Sequence, residues 1–238
     1  MNRWIVVTDL DGCLLDAQSY SWEAHRECLA ELKRRAVPVV FCTSKTRAET
    51  EALRHEIGNE DPFIVESGGA ILLRDRTVVL GRPYAQILDA FDLLKRRTGA
   101  RGFSDMTAEE IAADCGLSLE RARLSRQREY DEPFKVEGDP LPHAVELGLR
   151  CSRGGRYWHL HGDTDKGKAV RKLLKEMSPA RTVGLGDSML DLHLLEAVDV
   201  RCAIAKPDGT FDAVLESNFP DLRRYPDWSA AIRDTVLK

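Results

Sequence analysis

The 238-residue chain lacks several features, and each absence removes a class of function. No apolar run approaches the ~20 residues that a helix needs to span a bilayer, so no membrane role is expected. No block of lysine or arginine stands out, and a net charge of −4 gives nucleic acid no electrostatic footing. There is no C-x-x-C pair. Cys13, Cys28, Cys42, Cys115, Cys151 and Cys202 are scattered, several inside apolar segments, as reduced buried thiols are. After Met1-Asn2-Arg3 the sequence runs straight into an apolar β-branched stretch, without the h-region and cleavage site of a signal peptide. Internal repeats and low-complexity tracts are absent. A cytoplasmic globular protein is expected, and 43% hydrophobic with 31% charged residues suits one. The length fits one large domain, or a core with a smaller module.

What is present is organised around the start. Ile5-Val6-Val7-Thr8 reads as a buried strand and runs into Asp9-Leu10-Asp11-Gly12. Side chains alternate along a strand, so Asp9 and Asp11 share a face at its carboxyl end, where open α/β sheets bind ligands. Two carboxylates 4 Å apart repel by ~4 kcal/mol at an effective dielectric near 20. A hard cation such as Mg²⁺ among their oxygens relieves that repulsion. The competing reading is an Asp-rich surface turn, since Asp and Gly are ordinary turn residues.

The rest of the chain alternates strands and helices, which implies a parallel sheet with right-handed crossovers. Helical spacing over 22–36 precedes the buried strand Val39-Val40-Phe41-Cys42. That strand leads into Thr43-Ser44-Lys45-Thr46-Arg47 and a helix to about residue 57. Hydroxyls and cations at a helix N-terminus suit an anion, although Ser or Thr is also an ordinary N-cap. Strand 63–65 ends in Glu66-Ser67-Gly68-Gly69, a tight bend into 70–73. From 83 to 160 the texture changes to an α+β insertion. It includes a capping box at Thr107 and Glu110, a helix after Ser118 to about 128, a strand from Phe134, a helix over 141–149 and two short strands around Gly154-Gly155. The parallel pattern then resumes. Lys166 opens a helix, a strand over 183–186 ends in Asp187-Ser188-Met189-Leu190-Asp191, and further elements follow at 200–204 and 228–236. Lys168 and Lys172 read as surface lysines, and Asp191 also reads as a first-turn acid that complements a helix dipole. His159 and His161 alternate in a strand, but with no third His or Cys nearby they are not expected to hold a metal.

Four strand ends thus carry Asp9/Asp11, Thr43/Ser44, Lys166 and Asp187/Asp191. In this order they resemble the four motifs of the haloacid dehalogenase superfamily of phosphohydrolases, and the insertion between the second and third resembles its type IIB cap. T-S-K-T-R-A-E at 43–49, E-S-G-G at 66–69, G-F-S-D-M-T-A-E at 102–109, R-E-Y-D-E at 128–132 and G-G-R-Y-W-H at 154–159 are together similar to the mannosyl-3-phosphoglycerate phosphatases. The resemblance implies a Rossmann-like α/β core at 1–82 and 161–238 with a cap at 83–160 that reads the substrate. It implies Asp9 as nucleophile, Asp11 as general acid and base, and Thr43 and Lys166 on the phosphoryl oxygens. Mg²⁺ is implied on Asp9, the Asp11 backbone carbonyl and Asp187, with Asp191 counted among the metal-site residues. Ser44, Lys45, Arg156, His159 and Ser188 are candidates for the rest of a phosphorylated sugar–glycerate. Three departures stand out: Cys13 replaces a usual Thr, Leu190 a usual Asn, and Ser67 a common Asn. Another phosphorylated sugar compound, such as glucosyl-3-phosphoglycerate or a hexose phosphate, is the alternative substrate. A catalytically silent binding protein on the same fold is the alternative class.

Overall fold

The computed structural model describes residues 4–179 and 181–238. Twelve strands occur among them: β1 (Trp4–Thr8), β2 (Val39–Cys42), β3 (Phe63–Val65), β4 (Ala70–Leu72), β5 (Thr77–Val79), β6 (Arg101–Gly102), β7 (Asp131–Lys135), β8 (Arg150–Arg153), β9 (Trp158–His161), β10 (Arg181–Gly186), β11 (Val200–Ile204) and β12 (Arg223–Tyr225). Eight form one sheet in the order β12-β11-β10-β1-β2-β3-β4-β5, parallel from β12 to β3 and antiparallel beyond. Parallel strands covered on both faces need no polar side, which explains the unbroken apolar runs of β1 and β2. Val6, Val39 and Phe41 belong to one hydrophobic layer, and Ile5, Val7 and Val40 to the other.

Register places the site. Thr8 pairs with Leu185 on one side and Phe41 on the other, so β10, β1 and β2 end at one level. The chain departs from β1 in opposite directions towards β2 and β10, which makes this a topological switch point with its crevice at the carboxyl ends. The fully buried Trp228 of the helix Trp228–Thr235 braces that end of β1. Its indole N–H donates to Thr8 Oγ1 at 3.0 Å, and the Thr8 hydroxyl donates to the Asp9 carbonyl at 2.7 Å.

Between β5 and β10 in sequence lies a second, antiparallel sheet, β6-β7-β9-β8. The helix Tyr84–Thr98 packs on it through Ile87, Phe91 and Leu94 against Phe134 and Leu160. A separate cluster of Phe103, Met106, Ile111 and Tyr157 ties in the helices Ala108–Cys115 and Leu119–Ser125. The capping box at Thr107 and Glu110 forms as expected. No helix among the described residues is long and apolar enough to cross a membrane.

Several elements differ from the sequence reading. The helix expected over 22–36 is a 3₁₀ turn, Glu23–His25, followed by Arg26–Arg34. The helix after Ser118 stops at Ser125, and β7 begins at Asp131 rather than Phe134. Proline argues against a strand interior. Here β6 pairs only with Phe134 and Lys135, so at Pro133 only β9 is alongside. Strands β5 and β12 and the helix Ala213–Asn218 are too short to be read from periodicity.

The helix Lys166–Met177 starts at the Asp165 N-cap, whose carboxylate accepts the Lys168 N–H at 2.7 Å. Its second residue, Gly167, faces the His193 carbonyl so closely that a Cβ would overlap the oxygen. Gly167→Ala is therefore expected to push this helix outwards and to cost about 1–3 kcal/mol, a fall of roughly 3–10 °C in Tm. Thermal denaturation checks this, and an unchanged Tm would contradict the close approach.

Candidate active site

The level ends of β10, β1 and β2 bring together side chains far apart in sequence. Asp9 follows β1, Asp187 and Asp191 lie in the turn after β10, and the helix beginning at Lys166 sets its ammonium between Asp9 and Asp191. Lys166 Nζ lies 2.7 Å from Asp9 Oδ1 and 2.6 Å from Asp191 Oδ1. The other oxygen of Asp191 accepts the N–H groups of Asp187 and Ser188 at 3.0 and 3.3 Å, which fixes the turn after β10. Carboxylate oxygens of Asp9, Asp187 and Asp191 all fall within 4.8 Å of one another. Gly12, at φ +76°, brings the backbone so close that a Cβ would sit 2.6 Å from Asp187 Oδ2, so this turn needs glycine on both counts.

Three carboxylates around one ammonium leave excess negative charge. Burial, then Asp191, raises the Asp9 carboxyl from 3.8 to about 7, against the pull of Lys166. Burial, then Asp191 and Asp9, raises Asp187 to about 8. Burial on its own would lower the Lys166 ammonium, but Asp191 and Asp9 outweigh it and hold it well above its ordinary value. The donor set fits a hard divalent cation: all oxygen, converging, and short of positive charge. Asp9 Oδ2 and the Asp187 carboxylate make no hydrogen bond to another side chain among the described residues, whereas both oxygens of Asp191 are engaged.

A cleft of about 310 Å³ opens over this cluster, lined by Asp9, Asp11, Ser44, Lys45, Lys166, Asp187 and Ser188 from the large sheet's loops. Gly154, Gly155, Arg156 and His159 line it from the second sheet. Asp11 gives one oxygen to Lys45 Nζ at 2.8 Å, and its buried Oδ1 has no partner. Burial works to lower Lys45, yet Asp11 and Glu49 outweigh it and hold the ammonium above its ordinary value. Thr43 is buried beneath the cleft rather than along it, and its Oγ1 accepts the Lys45 N–H at 3.1 Å. The N-cap of the helix Arg47–Ile57 is Thr46, in a capping box with Glu49, so neither Thr43 nor Ser44 is spent on capping. Arg156 donates to the Asp114 carbonyl at 3.1 Å at the cleft's edge. His161 bonds the Gly162 carbonyl and Ser152 Oγ, and no metal-ligating group forms around it among the described residues.

Sequence reasoning missed three contributors. Tyr20, at φ +56°, places its ring 5.1 Å from Lys45 Nζ and donates its hydroxyl to the Cys115 carbonyl. Arg128, which itself lines the cleft, forms a buried pair with Asp131 beside His159 and reaches the Ser44 carbonyl at 3.0 Å. R-E-Y-D-E marked the stretch as distinctive, but nothing in its spacing said that it faces the phosphate-loop backbone.

Comparison with known proteins agrees with this geometry. Residues 6–101 match the family described as haloacid dehalogenase-like hydrolase. The chain is similar to a glucosyl-3-phosphoglycerate/mannosyl-3-phosphoglycerate phosphatase of Methanococcoides burtonii, 41% identical over 99% of this chain and 98% of the relative. It is 34% identical to a phosphatase of the same name from Persephonella marina, over 96% of this chain and 95% of that one. Its fold is similar to that of a solved sugar phosphatase of haloacid dehalogenase subclass IIB, with a TM-score of 0.71 at 12% identity, covering 97% and 98% of the two chains.

The raised carboxyls carry a prediction about pH and cations. From about pH 4 upwards the unfolded chain sheds protons from these two acids, while the cation-free fold keeps them until about pH 7 to 8. Their contribution to stability therefore declines as pH rises through that window. A cation that binds the oxygens competes with those protons, so Mg²⁺ should raise Tm more at pH 8 than at pH 5.5. Asp187→Asn should shrink the difference. Equal Mg²⁺ shifts at both pH values in the unsubstituted protein would contradict the charge balance described.

Proposed function

We propose a substrate and a set of residue roles from one premise: the chain belongs to the glucosyl-3-phosphoglycerate/mannosyl-3-phosphoglycerate phosphatases, a group of haloacid dehalogenase-like hydrolases. The reaction is hydrolysis of mannosyl-3-phosphoglycerate to mannosylglycerate and phosphate. The observation that carries the reading is the meeting of Asp9, Asp187 and Lys166 under a cleft whose far wall comes from the second sheet. That sheet, in the insertion expected at 83–160, is the substrate-reading module. Such metabolites suit the cytoplasmic location expected from the sequence.

Asp9 uses its free Oδ2 as the nucleophile on phosphorus, forming an aspartyl-phosphate as the bond to the glycerate oxygen breaks. Asp11 gives that oxygen its proton and then removes one from the water that cleaves the acyl phosphate, regenerating Asp9. Its unpaired Oδ1 is suited to this task. Lys166 supports Asp9 and meets phosphoryl oxygens, with Ser44, Ser188 and the loop held by Thr43 supplying further donors. Asp9, Asp187 and the Asp11 carbonyl would hold Mg²⁺, which would supply charge neutralisation between the nucleophile and the anionic ester. Asp191 holds Lys166 and the turn that carries Asp187 and Ser188. Lys45, Arg156 and His159 line the cleft, which supports them as the partners of the carboxylate and hydroxyls of the sugar–glycerate.

Phosphate release from mannosyl-3-phosphoglycerate, glucosyl-3-phosphoglycerate, a hexose phosphate and p-nitrophenyl phosphate, with Mg²⁺ or EDTA, tests the reading. The two phosphoglycerates should lead in kcat/KM and EDTA should abolish turnover. No Mg²⁺-dependent release from either would overturn it. The glucosyl compound is included because relatives carry both names. Arg156→Ala should cost tenfold to a hundredfold on the phosphoglycerates, the value of one charge-assisted hydrogen bond at ~1.5–3 kcal/mol, and far less on p-nitrophenyl phosphate. Equal losses on both would assign Arg156 to bracing Asp114 instead.

A further inference from the structure

We infer that Asp131, a residue outside the cleft, is a positioning residue that aims the His159 imidazole at a sugar hydroxyl of the substrate; this rests on the reading of the cleft given above. Asp131 and His159 lie on neighbouring strands. β7 and β9 pair Asp131 with His161 and Pro133 with His159, so the two side chains are diagonal neighbours on one face of the second sheet. Asp131 is fully buried, and its Oδ2 lies 2.7 Å from His159 Nδ1. A carboxylate there accepts, so Nδ1 carries the hydrogen, and in the neutral imidazole Nε2 is left with its lone pair. Nε2 has no protein partner among the described residues. It lies beside Gly154, where a Cβ would come within 3.3 Å of it, and both residues line the cleft. A hydroxyl that donates to Nε2 is the matching ligand chemistry.

Asp131 is itself held from several directions. Its other oxygen accepts from Arg128, whose Nη2 also donates to the Ser44 carbonyl at 3.0 Å. Its N–H donates to Glu66 Oε2 at 2.9 Å, and the same fully buried carboxylate accepts the N–H groups of Glu129 and Tyr130. Glu66 and Ser67 adopt left-handed backbone at φ +46° and +54°, a conformation that side chains other than glycine hold only when their surroundings impose it. Their N–H groups bond the Lys45 and Thr43 carbonyls at 3.0 and 2.9 Å. The orientation of His159 is thereby referenced to the phosphate loop. Buried ion pairs are weak stabilisers compared with apolar packing, so stability alone does not account for one placed in contact with a cleft residue. Orientation does, as a carboxylate orients the far nitrogen of a metal-bound histidine.

The test compares kcat/KM on mannosyl-3-phosphoglycerate and p-nitrophenyl phosphate. Asp131→Asn should lose about tenfold on the sugar substrate, mainly through KM, and less than threefold on the small ester. His159→Ala should show the same preference, and adding Asp131→Asn to it should cost little more on the sugar substrate. His159→Gln, which reaches the Nε2 position, should retain more sugar activity than His159→Asn, which does not. This comparison holds even if Asp131→Asn fails to fold. In the unsubstituted protein the ¹⁵N imidazole spectrum of His159 should show the Nδ1–H tautomer. Equal losses on both substrates, additive losses in the double variant, equal behaviour of the Gln and Asn variants, or an Nε2–H tautomer would each overturn the inference. A protein active on p-nitrophenyl phosphate but on neither phosphoglycerate would instead sink the substrate reading, and the spectrum would still decide the role of Asp131.

Discussion

A single ammonium among three converging carboxylates, two of them buried and one half-buried, is the constraint around which this molecule is arranged. Lys166 bonds Asp9 and Asp191, while Asp187 stands beside them without a cation of its own. Burial first, and the neighbouring carboxylates second, raise two of the acids towards neutral pH. The same three carboxylates could hold a hard cation, which would offset that excess of negative charge.

Much of the surrounding fold keeps that cluster in register. β10, β1 and β2 end at one level because their apolar runs are buried on both faces and tolerate no slip. Trp228 ties the last residue of β1, Gly12 lets the backbone pass Asp187, and Gly167 lets the Lys166 helix lie against His193.

The core of the site was legible in the sequence because its residues sit at strand ends, where a periodic apolar run stops at a charged or hydroxyl side chain. Asp9, Asp11 and Asp187 stood out in this way, Lys166 through the family resemblance, and all four line one cleft. Thr43 shows the limit of the method: its position in the loop was readable, but its side chain lies under the cleft and holds Lys45. The Glu66–Arg128–Asp131–His159 chain was illegible for a physical reason. It joins residues 66, 128, 131 and 159 through side-chain bonds between two sheets, and no local period marks such contacts. Pro133 added to this by making 130–133 read as the end of a helix, when β7 already begins at Asp131.

The claim that Asp9 carries the phosphoryl group is the centre of the account, and it can be tested directly. In Asp11→Asn protein, the base that hydrolyses the acyl phosphate is removed. A ³²P-labelled aryl phosphate, whose leaving group departs without a proton, can still load the nucleophile in the presence of Mg²⁺. Rapid acid quench followed by peptide mapping should find hydroxylamine-labile label on the peptide containing Asp9, and none after Asp9→Asn. Label on another residue, or turnover of the aryl phosphate by Asp9→Asn protein, would contradict the account.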